Sequence, residues 1–127
     1  MSMSFVAKAM EANQHFGEAE QWYLRACGEH EDRDHWVRLA QFYCGRRFWA
    51  GAYAAAMRGL QMTVRPAVYM SDPACWGSWP HHIAGTAAYY LGLKASCLEH
   101  YKRALDLDPT NEGIRRDQAA AIAAMGA

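Results

Sequence analysis

Cysteine, histidine and aspartate crowd three short parts of this chain, and those are the side chains that hold metals or activate nucleophiles. In "CGEHEDRDH", Cys27, His30, Asp32, Asp34 and His35 offer sulfur, nitrogen and oxygen donors. In "YMSDPACWGSWPHH", over 69–82, Cys75 precedes the adjacent pair His81 and His82. Cys97 and His100 stand one helical turn apart. A site needs converging donors, and the spacing argues against each group. Cys27 falls in a helical pattern and should face a helix interface, while the donors after it lie in a hydrated turn. Neighbouring histidines diverge on a helix, so one at most could join Cys75. Cys97 occupies a position where packing wants a small side chain. No serine sits with a histidine and an acid in a recognisable arrangement. The expectation is no catalytic residue, no metal and no cofactor.

The elements around these groups set what they can do. The chain has 127 residues, enough for one domain, and its thirteen basic residues balance thirteen acidic ones. No electrostatic field draws in nucleic acid or an anionic membrane, so neither is an expected partner. The apolar runs "AGAYAAAM" and "AAAIAAM" are far short of the ~20 residues that cross a bilayer. The opening "MSMSFVAKAMEANQ" lacks a basic segment followed by an apolar core, so it does not read as a secretory signal. The four cysteines, at 27, 44, 75 and 97, have no C-x-x-C spacing. Free thiols in a reducing, cytoplasmic setting are expected rather than a disulfide framework.

Aromatic residues make up 13% of the chain beside abundant alanine, a pairing in which close helices have their gaps filled by rings. In "WVRLAQFY", Trp36, Leu39, Ala40 and Tyr43 share one helical face. The pattern recurs. Ala7, Ala19, Tyr23 and Ala26 correspond to Ala40, Ala52, Ala56 and Gly59 at an offset of 33, and these to Gly85, Cys97, Tyr101 and Ala104 at an offset of 45. Small residues at such places let two helices cross closely. Helix pairs are expected near 3–14 with 17–28, 34–45 with 48–62, and 80–91 with 94–107. Gly17, Gly45 and Gly92 should mark the turns within them. After "DLDP", Thr110 or Asn111 should cap a last helix over 112–125 that covers the open end of the stack.

"WVRLAQFY" and "HYKRALDLDP" resemble the opening and closing parts of the tetratricopeptide repeat, which is about 34 residues long. The resemblance implies an all-α, tetratricopeptide-like α-solenoid in a single domain over 1–127. Its repeats would span about 2–31, 33–64 and 78–111, with an insertion at 65–79 and a capping helix at 112–125. Within the insertion, Asp72-Pro73 reads as a helix start that Gly77 ends, and Val68, Tyr69, Met70, Trp76 and Trp79 should fold it back on the array. A narrower likeness covers about 60–117. Arg65-Pro66, Tyr69, Asp72, Trp76-Gly77, Pro80, "AAYYLG", "RALDLDP" and Ile114 are similar to the repeat tail that follows the catalytic domain of bacterial and phage family 2 glycosyltransferases. Such tails commonly close with arginine, isoleucine or leucine, then asparagine. This chain has Ile114-Arg115-Arg116-Asp117 instead. The catalytic domains of that family use an Asp-x-Asp pair. The triplets "DRD" at 32–34 and "DLD" at 106–108 lie at helix junctions, where aspartate caps or turns, with no nucleotide-binding pattern around them. The likeness is to the tail without its catalytic head.

In a stack of helix pairs the first helix of each lines the concave side. The repeat register projects Ser4, Lys8 and Glu11, then Val37, Gln41 and Cys44, then Trp79, His82, Thr86 and Tyr89 onto that face. The expected groove is Lys8, Glu11, Val37, Gln41, Trp79, His82, Thr86 and Tyr89. It suits a protein or peptide segment, although Trp79, Tyr89 and Tyr90 could equally pack on the insertion. Some tetratricopeptide grooves grip a terminal carboxylate with lysines and asparagines; here only Lys8 matches. The leading reading is a non-catalytic interaction module, an accessory or detached tail of a glycosyltransferase. A self-associating homodimer is the alternative, and a metal-binding or enzymatic protein the third.

Overall fold

The computed structural model describes residues 8, 10–29, 31–63 and 72–126. Among them the regular elements are all helical. They are α1 (Phe16–Glu29), α2 (Arg33–Gly45), α3 (Trp49–Leu60), a single 3-10 turn (Pro73–Trp76), α4 (Trp79–Leu91), α5 (Lys94–Leu107) and α6 (Glu112–Met125). Residues 8 and 10–12 are also helical and 13–14 form a turn; the remainder of the expected first helix, including Ser4 and Ala7, lies outside the described residues. Each helix from α1 to α6 packs on the next, α2 also touches α4, and α4 touches α6. That is the connectivity of stacked pairs, with α6 placed as the first helix of a following unit.

The pairs turn by one repeated device. The amide of His15 donates to Met10 O at 2.8 Å, Phe48 to Tyr43 O at 2.9 Å, and Leu93 to Ala88 O at 2.9 Å. The residue before each donor is left-handed: Gln14 (φ 64°), Arg47 (φ 59°) and Gly92 (φ 76°). These are Schellman closures, which satisfy carbonyls at a helix end. Their donors are offset by 33 and then 45 positions, as the small residues are. Glycine marks the left-handed site only at Gly92. Gly45 ends α2 two residues before it, and Gly17 already lies inside α1. In those two turns glutamine and arginine accept the strained backbone instead.

Close crossings follow from side-chain size. Ala40, Ala52 and Cys97 are wholly buried, as is Ala56. A Cβ added to Gly85 would stand 3.0 Å from the Tyr101 ring, so the glycine makes room for a tyrosine. The second pair places Ala40 and Ala56 at the corresponding positions and needs no glycine.

The insertion is described from Asp72 onward, and Val68, Tyr69 and Met70 lie outside that part. The Asp72 carboxylate accepts the Ala74 amide at 3.0 Å, Pro73 opens the turn, and Gly77 closes it. Cys75 is fully buried within the turn, and Trp76 and Trp79 pack partly buried against the main core. At the other end Asn111, rather than Thr110, caps α6 by accepting the Ile114 amide at 3.1 Å. Ile114 and Ala121 seat against Ala88, Cys97, Tyr101 and Ala104. Burying Ile114 stabilises the lid by about 2 kcal/mol.

Candidate partner-binding groove

Four projected residues line one cavity. Lys8 and Glu11, Gln41 on α2 and Trp79 at the start of α4 surround about 360 Å³ together with Tyr23, Arg38 and Phe42. First helices of three successive pairs therefore supply its walls. The Tyr23 hydroxyl donates to Glu11 Oε2 at 3.0 Å, and burial, then the Glu11 charge, raises its pKa. Trp79 Nε1–H donates to Gln41 Oε1 at 3.1 Å, tying α4 to α2 across the groove. Arg38 Nη2 lies 3.2 Å from Asp72 Oδ2, so the insertion borders the cavity and holds one of its cations.

The other projected residues are placed elsewhere. Val37 is 0% exposed and belongs to the core. Gly59 on α3 lets α2 come near enough that its missing Cβ would meet Trp36 and Val37 at 3.3 and 3.4 Å. Thr86 and Tyr89 line a second cavity of about 390 Å³, with Trp49, Tyr90, Tyr101 and Asp117. His82 is drawn to the lid, its Nε2 lying 2.7 Å from Asp117 Oδ2. Cys44 is partly buried, and burial raises its thiol pKa. Tyr23, Arg38 and Phe42 were outside the projection. Arg38 is one turn from Asp34 and Gln41, a spacing that could have revealed it.

The donor groups disperse. Cys75 is buried while His81 turns to His100, with the two Nδ1 atoms 3.2 Å apart. Burial, then Asp34 and Asp72, pushes the Cys75 thiol up to about 12. Burial, then Asp32 and Glu31, pushes the Cys27 thiol to about 12 as well. Both thiols are therefore neutral at physiological pH and poor nucleophiles. Among the described residues no three His, Cys, Asp or Glu side chains could share a metal ion.

Three of the four aspartates in the Asp-x-Asp triplets take structural posts, while Asp106 is exposed. Asp32 caps α2 by accepting the His35 amide at 2.9 Å. Asp34 anchors the insertion, accepting the Asp72 amide at 2.8 Å and Trp76 Nε1–H at 3.1 Å. Asp108 accepts Asn111 Nδ2 at 2.9 Å. Between the first two lies Arg33, buried and unmarked by any motif. Its Nε donates to Gly59 O and Met62 O, each at 3.0 Å, and Nη2 to Met62 O at 2.7 Å. Its guanidinium sits 4.1 Å over the Trp76 ring. One side chain thus closes the end of α3 and stacks on the insertion.

No protein-family model matches the sequence, and no curated protein matches it. Among solved structures, it is similar to the first TPR of Spaghetti (RPAP3) bound to the HSP90 peptide SRMEEVD. The TM-score is 0.80 at 14% identity, over 98% of this chain and 91% of that one. At that identity the likeness shows the fold: an all-α, tetratricopeptide-like array. No described helix is long and apolar enough to cross a membrane.

Proposed function

We propose that this chain is a non-catalytic protein-interaction module whose concave face receives an extended segment of a partner protein. The observation that carries the reading is the cavity bounded by Lys8, Glu11, Gln41 and Trp79, built from three consecutive units. A concave surface assembled this way presents side chains at repeated intervals, which suits a linear ligand. Its similar structure, the RPAP3 repeat, is bound to a short peptide rich in acids. Lys8 and Arg38 give this cavity two cations, and Trp79 gives it an aromatic wall with small entropic cost on binding.

A peptide library screened against the chain tests the proposal. Peptides retained by the wild type should bind about tenfold more weakly to Trp79→Ala. Equal retention by Trp79→Ala and by Lys8→Ala would move the binding site off this face. The finer reading, an accessory or detached tail of a glycosyltransferase, is supported by the Arg65-to-Pro80 pattern and by the defined structural posts of Asp72 and Trp76. A transferase catalytic domain encoded beside this chain should co-elute with it in gel filtration, and separate elution rejects that partner. The cytoplasm is the compartment we assign, on the support of four unbonded cysteines, three of them buried.

Self-association is a second reading, favoured by Phe48, Tyr90, Leu91 and Leu93, which are 51%, 57%, 39% and 42% exposed around the turns of the second and third pairs. Light scattering separates the two readings, because a mass that stays monomeric at rising concentration removes the homodimer.

A further inference from the structure

The second cavity, of about 390 Å³, is walled by rings, hydroxyls and a carboxylate, with no lysine or arginine among the described residues lining it. Trp49 and Tyr90 stack with centroids 4.2 Å apart and planes 9° from parallel. Tyr89 meets Tyr90 edge-on at 5.0 Å. Trp49 covers one face of Tyr90, yet Tyr90 stays 57% exposed, so part of its ring remains accessible to a ligand. Thr86 Oγ1 and the Tyr101 hydroxyl are joined at 2.9 Å on the adjoining wall. His82 engages Oδ2 of Asp117, which leaves Oδ1 as an acceptor.

Aromatic faces carry negative potential and a carboxylate carries a full negative charge. Both converge here on one volume whose described lining holds no lysine or arginine. A neutral sugar ring would stack on tyrosine or tryptophan and donate its hydroxyls to the carboxylate, but it brings no positive charge to the ring faces or to Asp117. A guanidinium gains from both, because it is flat enough to lie on a ring and has donors for a carboxylate at its edge. We infer that this cavity takes an arginine side chain carried by the partner's extended segment, stacked on the Tyr89–Tyr90–Trp49 rings and hydrogen-bonded to Asp117.

The inference rests on the proposed groove and gives it a direction. Lys8, with Glu11 and the Asp72-paired Arg38 beside it, puts a cation at one end of the concave face, and Asp117 puts a carboxylate at the other. A partner segment with an acidic residue near Lys8 and an arginine near Asp117 therefore lies in one orientation.

N-acetyl-arginine amide is the probe, followed by the indole N–H resonance of Trp49 in the intact chain, identified with Trp49→Phe. A saturable shift is expected, weakened about fivefold or more by Asp117→Asn. N-acetyl-citrulline amide, which has the same shape without the charge, should give no saturation. Citrulline binding as well as arginine, unchanged binding in Asp117→Asn, saturation by methyl glucoside alone, or no arginine saturation each overturns the inference. Should Asp117→Asn lose its helical circular dichroism, the exposed Tyr90→Leu replaces it, with the same weakening expected. The probe needs no partner protein. Its failure leaves the peptide screen standing, and failure of that screen leaves the probe result standing.

Discussion

Between the second and third pairs, a buried arginine lies under a tryptophan and reaches three carbonyls, while Asp34 holds the backbone and indole of the inserted turn. Beyond the third pair, Ile114 and Ala121 press against a tyrosine that itself fits over a glycine. The first junction is mainly polar, and the second mainly steric, with the His82–Asp117 contact beside its apolar seat. At the first junction α3 still packs on α4, but the chain leaves α3 into the insertion, and Arg33 supplies donors to the carbonyls at its end. At the second junction size matching carries the packing, joined by the His82–Asp117 contact. The largest test of this contrast is Arg33→Met. It keeps most of the volume but strips the carbonyls and Trp76 of their cation, and we expect a loss of about 3 kcal/mol in urea unfolding. Arg33→Lys should recover little, because an ammonium cannot span the fork. Full stability in Arg33→Met would make the polar junction a bystander.

Gly85 probes the steric side. Adding a methyl improves helix propensity by about 1 kcal/mol but forces it onto the Tyr101 ring, and the clash should win, for a net loss of about 1 kcal/mol in wild type. With the ring removed in Tyr101→Ala, itself costing about 3 kcal/mol or more, the same Gly85→Ala change should become stabilising. That reversal of sign, read by urea denaturation, would make the third pair behave as the second does with Ala40 and Ala56. Additive effects would mean the glycine and the tyrosine are unrelated.

These two junctions also explain what could be read in advance. Ala40, Ala52, Gly85 and Cys97 were legible because a crossing restricts size at a fixed place, and the restriction repeats. Arg33 and Asp34 were not, because a charged residue at a helix start looks like a solvated one until its partner across 26 positions is known. Val37 was projected onto the groove by register alone, and the register does not reveal that Gly59 lets α3 close over it. The link from His82 to Asp117 depends on how α6 is rotated on the stack, which no repeat encodes. Gly17 and Gly45 misled because glycine permits a left-handed turn without requiring one.

The third pair has a contact that acid should weaken. His81 and His100 face each other through Nδ1 at 3.2 Å, which requires one ring to donate and the other to accept. Burial, then the neighbouring His100 and the charges of Arg103 and Arg33, lowers His81 from 6.5 to about 4. Burial and then Arg103 lower His100 too, against Glu99. Each histidine therefore binds its proton more readily unfolded than folded. Their contribution is present above about pH 6.5 and is lost as pH falls towards 4. The urea midpoint should drop between pH 7 and pH 5, and His81→Asn should flatten that slope. A wild-type midpoint that is level over this range would show that the pair is protonated without cost.

The smallest expected effect bears on what the pairs share rather than on how they are joined. Gln14, Arg47 and Gly92 hold the same left-handed place in three equivalent closures. A side chain there costs about 1 kcal/mol against glycine, partly offset by the greater freedom glycine has when unfolded. Arg47→Gly should therefore stabilise by about 0.5 kcal/mol, and Gly92→Ala should destabilise by a similar or greater amount. The rest of the closure is unchanged by either substitution, since its hydrogen bonds come from the following amides of Phe48 and Leu93. The pair of opposite signs, measured at equivalent positions of one chain, isolates backbone strain from packing. If Arg47→Gly instead destabilised, the Arg47 side chain would have to hold its turn by a contact that Gly92 never makes, and the turns would be alike in backbone only.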